Sequence, residues 1–161
     1  KTADGPRLAW APVRELESLR GKAIRTGPLK LRPGDANPLA AMDGELLDVV
    51  AVLEPGKTSE VTFTVRGVAV SYHAGRKELA VKGHRVAGRL SEGKLDLRIL
   101  TDRTAFEVFA CGGLVYVPMP VIPKADSRSV GVSVKGEAVA FHALEAHEVR
   151  SIWPQSRPSG R

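Results

Sequence analysis

The stretch LRILTDRTAFEVFACGGLVYVP, Leu97 to Pro118, decides how this chain reads. Apolar residues alternate through Leu95, Leu97 and Ile99 and again through Phe106 and Val108. The inward parity is odd in the first run and even in the second. Side chains along a strand point to alternate faces, so the change of parity demands a bulge or a tight turn between the runs. Thr101, Asp102, Arg103 and Thr104 occupy the break, and a polar cluster is expected to stand out of the sheet there. Further on, Gly112-Gly113 reads as a two-residue hairpin into LVYVP.

Working outward, the same period recurs from Glu45 on. LLDVVAVLE, Leu46 to Glu54, ends at the turn Pro55-Gly56. EVTFTVRG sets Val61, Phe63 and Val65 against Thr62 and Thr64, and VAVSYH follows at Val68 to His73. Gly75 marks a turn before a short strand at Glu78 to Val81. Ser129 to Val134 and Ala138 to Leu144 flank KGE, a hairpin signal, and Val149 to Trp153 reads as the last strand. The alanines between Glu137 and Val149 would also suit a helix, but the alternation of Val139 and Phe141 favours a strand. Upstream, Val13, Leu16 and Leu19 have helical spacing before Gly21, which predicts one short helix. Arg25 to Asn37 contains two Gly and two Pro and is expected to be irregular, apart from a short strand at Leu29 to Leu31.

Short strands at roughly 8–12-residue spacing indicate a sandwich or a barrel. The 161 residues suffice for one domain with a sizeable core. A net charge of +6 raises the question of nucleic acid. Lys and Arg are scattered among acidic residues, however, and aromatics make up only 5%, so the charge reads as a solvated basic surface. No apolar run approaches the roughly 20 residues of a membrane span, so no membrane partner is expected. One cysteine, Cys111, rules out an intrachain disulfide and leaves the redox setting open. Its surroundings suggest a buried small residue rather than a nucleophile. His142 and His147, five apart, fall on opposite faces of a strand, and no metal site or cofactor is expected. No phosphate-binding glycine loop occurs either.

DRTAFEVF, Asp102 to Phe109, resembles the DRTSxEVF signature of the C-terminal β-sandwich domain of family 32 glycoside hydrolases, the invertases, levanases and inulinases. Ala105 stands where that family often has Ser. PVRELESLRG, Pro12 to Gly21, resembles the segment leading out of the family's catalytic propeller, and SIWP, Ser151 to Pro154, resembles the last strand of the sandwich. Together the matches cover roughly Arg7 to Pro154, in the expected order. The resemblance favours an all-β fold, a two-sheet antiparallel sandwich of jelly-roll or concanavalin-like kind with one short N-terminal helix. The expected organisation is a linker and helix over 1–20, the sandwich over 21–154 and a frayed tail over 155–161. A secreted or periplasmic setting is favoured, with a cytoplasmic one open.

Cleaving a glycosidic bond takes two carboxyl groups flanking it, and Asp102 and Glu107 are the obvious pair here. The resemblance implies instead that the catalytic carboxylates lie in an N-terminal propeller, within WMNDPNG-like, RDP and EC motifs. None of these is present, and DANP, Asp35 to Pro38, matches the first only superficially. No hydrolase activity of its own is therefore expected. The implied partner is the propeller of the same protein, with homodimer contacts as a further option.

The same residues could hold a sugar. A carboxylate accepts hydrogen bonds from vicinal hydroxyls, and a guanidinium donates a rigid fork. That chemistry suits the capture of a chain-end sugar in a small polar pocket. Trp10 and Trp153 fall near the chain ends and do not suggest a flat aromatic platform. Similarity to a levan-binding module implies that Asp102, Arg103 and Glu107 would hold a terminal fructose of levan or a related fructan, with Asp48 as a further acidic position. An Asp-Arg-Thr turn with a nearby Glu is equally a hairpin corner fixed by a local ion pair and side-chain-to-backbone bonds.

Overall fold

The computed structural model of the chain describes residues 5–153, so the tail expected at 155–161 and Pro154 of SIWP lie outside the described residues. Strict alternation yields strands wherever it is uninterrupted. β4 (Glu60–Val65) and β5 (Val68–His73) are joined by Arg66-Gly67, and β6 (Glu78–Val81) and β7 (His84–Ala87) by Lys82-Gly83. Both residues of each turn have positive φ, 51° and 78° in the first and 47° and 88° in the second. Such two-residue turns match the right-handed twist of the flanking strands.

With β11 (Val130–Lys135), these strands form a five-stranded antiparallel sheet in the order β11-β4-β5-β6-β7. The larger sheet takes β1 (Arg20–Thr26), β12 (Val139–Val149), β3 (Leu47–Glu54), β8 (Leu95–Thr101), β9 (Ala105–Ala110) and β10 (Val115–Pro120) in that order, and β2 (Leu29–Leu31) also pairs with β12. The two sheets form an all-β sandwich, as the alternation and the resemblance led one to expect.

The core is built from the inward half of each strand. Val61, Phe63, Val70 and Tyr72 come from the smaller sheet, and Val49, Leu53, Ile99, Phe106, Val108 and Leu144 from the larger; all are buried. Phe63 and Phe141 meet edge to face with ring centroids 6.4 Å apart. Removing this apolar area from water, at about 25 cal/mol per Å², is the main drive toward the sandwich.

The change of parity between β8 and β9 is accomplished by a tight turn. Thr101 pairs with Phe106, and the Asp102 amide donates to the Ala105 carbonyl over 2.8 Å. Other expectations are corrected. The loop after β9 holds four residues, Cys111 to Leu114, rather than Gly112-Gly113 alone, because Ala110 and Val115 are the last pair. KGE does not close a hairpin: β11 and β12 lie in different sheets, and Gly136 turns the chain across the sandwich. The last strand is β12, and Ser151 to Trp153 has left the sheet. A bulge between Phe141 and Ala143 switches β12 from odd to even inward positions, which explains why its alanine spacing resembles a helix. The short helix is a 3-10 helix, Arg14–Leu19. β1 and β7 were absent from the sequence reading, and the end of β1 falls in the region expected to be irregular.

Edges of the sheets are protected. β10 carries Pro118 and Pro120, which present no N–H to a further strand. On the β11 edge, the Asn37 side chain imitates a strand, donating to the Val130 carbonyl over 2.9 Å and accepting from the Val132 amide over 3.1 Å. Asn37→Ala leaves both backbone groups without that partner. It is expected to cost about 1–3 kcal/mol in urea unfolding, with greater self-association in sedimentation; an unchanged midpoint would show that water replaces the amide.

Candidate functional site

Period-two geometry leaves half of the larger sheet facing away from the core, and the N-terminal segment covers part of that outer face. At one end, the Trp10 amide donates to the Gly113 carbonyl over 2.9 Å. Its ring stacks on Tyr116 at 5.3 Å, and Tyr116 stacks on Phe109 at 4.7 Å. Gly113 is needed for this approach, since a Cβ would lie 2.3 Å from the Trp10 carbonyl oxygen at a φ of +79°. The chain then crosses to the opposite end, where Leu16 and Leu19 of the 3-10 helix overhang β3, β8 and β9. Beyond β12 the segment Arg150–Trp153 returns beside that helix. The Arg150 amide donates to the Leu19 carbonyl, and its guanidinium to that of Ser18, both over 2.9 Å.

Between helix, sheet and this C-terminal strap lies a cleft of about 240 Å³. Its apolar side includes Leu16, Leu19, Leu100 and Ile152, with Trp153 among the lining residues. Asp48, Asp102, Arg103 and Glu107 also line it, so the fold gathers all four candidate residues in one place. An adjoining cleft of about 360 Å³ shares Arg103 and Arg150 and adds Arg128.

The four residues stand in different situations. Asp48 is only 1% exposed, and both of its oxygens are taken. Arg98 of β8 donates through Nε to Oδ1 over 2.9 Å and through Nη2 to Oδ2 over 2.8 Å. Arg20 of β1 donates through Nε to Oδ2 over 2.8 Å. Two charge-assisted partners are what a carboxylate removed from water requires. His147, cross-strand from Asp48, is fully buried, with Nε2 2.8 Å from Glu145 Oε2.

Glu107 accepts a short hydrogen bond from the Tyr116 hydroxyl. This bond raises the Tyr116 phenol above its ordinary value, because the accepting carboxylate holds the proton on the phenol oxygen. Oε2 of Glu107 has no partner among the described residues. Arg103 pairs through Nε with Glu45 Oε1 at 3.1 Å, both side chains being well exposed, which makes the pair weak. Asp102 accepts the Arg103 amide at Oδ1.

Arg66, 5% exposed, holds this corner from behind. From the turn between β4 and β5 its guanidinium donates to the carbonyls of Ser127 (3.0 Å), Glu45 (2.7 Å) and Asp102 (3.1 Å). A cation of the smaller sheet thus fixes three loops at the rim of the larger one. The sequence reading missed Arg66, Arg20, Arg98 and Tyr116. The RG dipeptide signals a turn, but nothing local signals where its side chain docks.

Among the described residues, no group of three or more His, Cys, Asp or Glu is placed to hold a metal ion. The Cys111 thiol is pushed up to about 11 by burial and by the nearby Asp96 carboxylate.

The sandwich is the fold of several solved structures. Exo-inulinase from Aspergillus awamori superposes with a TM-score of 0.75 at 17% identity, covering 94% of this chain and 34% of that one. Aspergillus kawachii beta-fructofuranosidase gives 0.70 at 18% identity, covering 92% and 31%. In sequence, the model described as glycosyl hydrolases family 32 C terminal matches residues 15–148, and the chain belongs to that family. The reading of DRTAFEVF is thereby borne out. A levanase of Bacillus subtilis (strain 168) is 26% identical over 173 residues, covering 93% of this chain and 26% of the levanase. A levanase of Bacillus sp. (strain L7) is 24% identical over 176 residues, covering 95% and 19%. The chain therefore spans about a quarter or less of these curated relatives.

Asp48→Ala leaves two guanidiniums without their carboxylate. Since both retain some contact with water, the expected loss is about 2–4 kcal/mol, read as a lower urea midpoint. The raised Cys111 thiol lowers its thiolate fraction about a hundredfold at pH 8. A disulfide reagent should therefore modify Cys111 readily in denaturant and very slowly in the native protein. Rapid native labelling would contradict the buried placement.

Proposed function

We propose that this chain is the non-catalytic sandwich of a fructoside-hydrolysing protein, stabilising a catalytic propeller to which residues 1–20 form the junction. The observation that carries this reading is a set of large apolar side chains left in water along the N-terminal segment and the loop it covers. Leu8, Trp10, Val13 and Leu114 are all at least 46% exposed, and Trp10 is bonded to the residue preceding Leu114. Large apolar side chains left exposed in this way suit an interface. Covering them with a neighbouring domain, over the roughly 600–1,500 Å² typical within a chain, adds stability to both partners without touching the scissile bond. Relatives of this family carry the domain joined to an N-terminal catalytic domain, which supports such a neighbour. The chain carries none of the three catalytic motifs, consistent with a scaffold role.

A second reading, a module that binds the terminal fructose of levan or a related fructan, is favoured by one specific observation. Asp102, Arg103 and Glu107, brought to one cleft, offer acceptors and a fork-shaped donor for sugar hydroxyls. Binding there would concentrate an attached enzyme on its polymer, an avidity effect. Asp48 would support the wall of the cleft, its own oxygens being engaged by Arg20 and Arg98.

Two measurements separate the readings. In the full-length protein, Trp10→Ser with Leu114→Ser should lower the melting temperature by several degrees while kcat/KM for sucrose stays unchanged; no shift would count against the scaffold. Calorimetric titration of the chain with levan, inulin and sucrose should show no heat at millimolar sugar if it is only a scaffold. Binding that Asp102→Ala or Glu107→Ala abolishes would establish the module.

A further inference from the structure

We propose that Trp153 is the stacking wall of the cleft, against which the apolar face of a single neutral sugar ring lies while its hydroxyls reach Asp102 and Glu107. This rests on the carbohydrate-binding reading and adds a residue and a ligand class to it.

Trp153 is positioned, although it follows the last strand. Its amide donates to the Ser151 hydroxyl over 3.2 Å, and Arg150 is bonded twice to the 3-10 helix. The strap therefore carries the indole to the cleft's border. The side chain is 73% exposed, yet it lines the same cleft as the two carboxylates. Trp10, the other tryptophan, is already stacked on Tyr116, whereas Trp153 has no ring partner among the described residues.

A sugar ring is amphipathic, with hydroxyls at its rim and polarised C–H groups on its face. The electron-rich face of indole attracts such C–H groups and shields them from water. In the same cleft, Glu107 keeps Oε2 free among the described residues, and Asp102 has an oxygen beyond the one that accepts the Arg103 amide. These acceptors suit hydroxyl donors. Arg103 and Arg150 in the same cleft offset the two carboxylates, so the site carries no strong net charge, which suits a neutral ring. The volume, about 240 Å³, is below the usual span for drug-sized ligands and suits one ring rather than a bound stretch of polymer. A single indole beside a concavity differs from the flat aromatic platform that the two scattered tryptophans made improbable in the sequence.

The test uses the 161-residue chain carrying Trp10→Phe, so that Trp153 is the sole indole. Fluorescence is followed during titration with levan, inulin and sucrose, with calorimetry in parallel and circular dichroism as the check on folding. A saturable fluorescence change is expected with at least one sugar. Trp153→Ala should weaken binding by about tenfold or more, and Trp153→Phe should retain most of it. If calorimetry shows binding that Asp102→Ala abolishes, while fluorescence is silent or Trp153→Ala binds like its parent, the stacking wall is wrong and the carbohydrate reading stands. If none of the three sugars binds the parent, the carbohydrate reading fails and this inference fails with it.

Discussion

The ion triad of Asp48 with Arg98 and Arg20 is the contact on which the outer architecture turns. Arg20 follows immediately after the 3-10 helix, so its bond to Asp48 pins the helix onto the larger sheet. The pinned helix sets Leu16 and Leu19 over β8 and β9, and its Ser18 and Leu19 carbonyls receive Arg150. Through Arg150 the strap and Trp153 are placed. One buried carboxylate on β3 thus helps to place the 3-10 helix and, through it, the C-terminal strap.

Such a triad is not the source of the fold's stability. Burying charges carries a desolvation penalty that their mutual attraction roughly offsets, and well-packed apolar residues of similar volume could do as well energetically. Its contribution is positional. The apolar core between the sheets drives the sandwich together, while the triad selects one placement of the N-terminal segment on a face that apolar contacts alone would leave loosely specified. Arg66 plays a comparable part on the other side of the rim. It links the smaller sheet to the loops at Glu45, Asp102 and Ser127 through carbonyl acceptors. Desolvation again limits the gain, and the gain is geometric: the Asp102 turn has one orientation.

The two functional readings use adjoining parts of the same face. Trp10 lies over the β9–β10 loop and stacks on Tyr116, whose hydroxyl bonds Glu107 of the cleft, so the two regions are joined through one ring. Charged oxygens and guanidinium nitrogens gather at the cleft beside an apolar wall that includes Leu16, Leu19 and Ile152.

What the sequence determined by itself was everything that depends on near neighbours along the chain. Alternation fixed β3 to β6, β8 and β9, because period two is a local property, and the parity change located the Asp102 corner to within a few residues. Dipeptide glycines marked the tight turns, and DRTAFEVF carried the family. KGE failed as a hairpin because a turn's sequence does not say whether the next strand pairs with the previous one or crosses to the other sheet. β1 and β7 escaped notice because edge strands face water on one side and need little alternation. Tertiary structure alone decided that Asp48 would be captured by Arg20 and Arg98, that Arg66 would brace the corner, and that Trp153 would border the cleft. Those contacts join residues 28 to 61 positions apart or more, and their energies depend on burial and approach that no local pattern encodes.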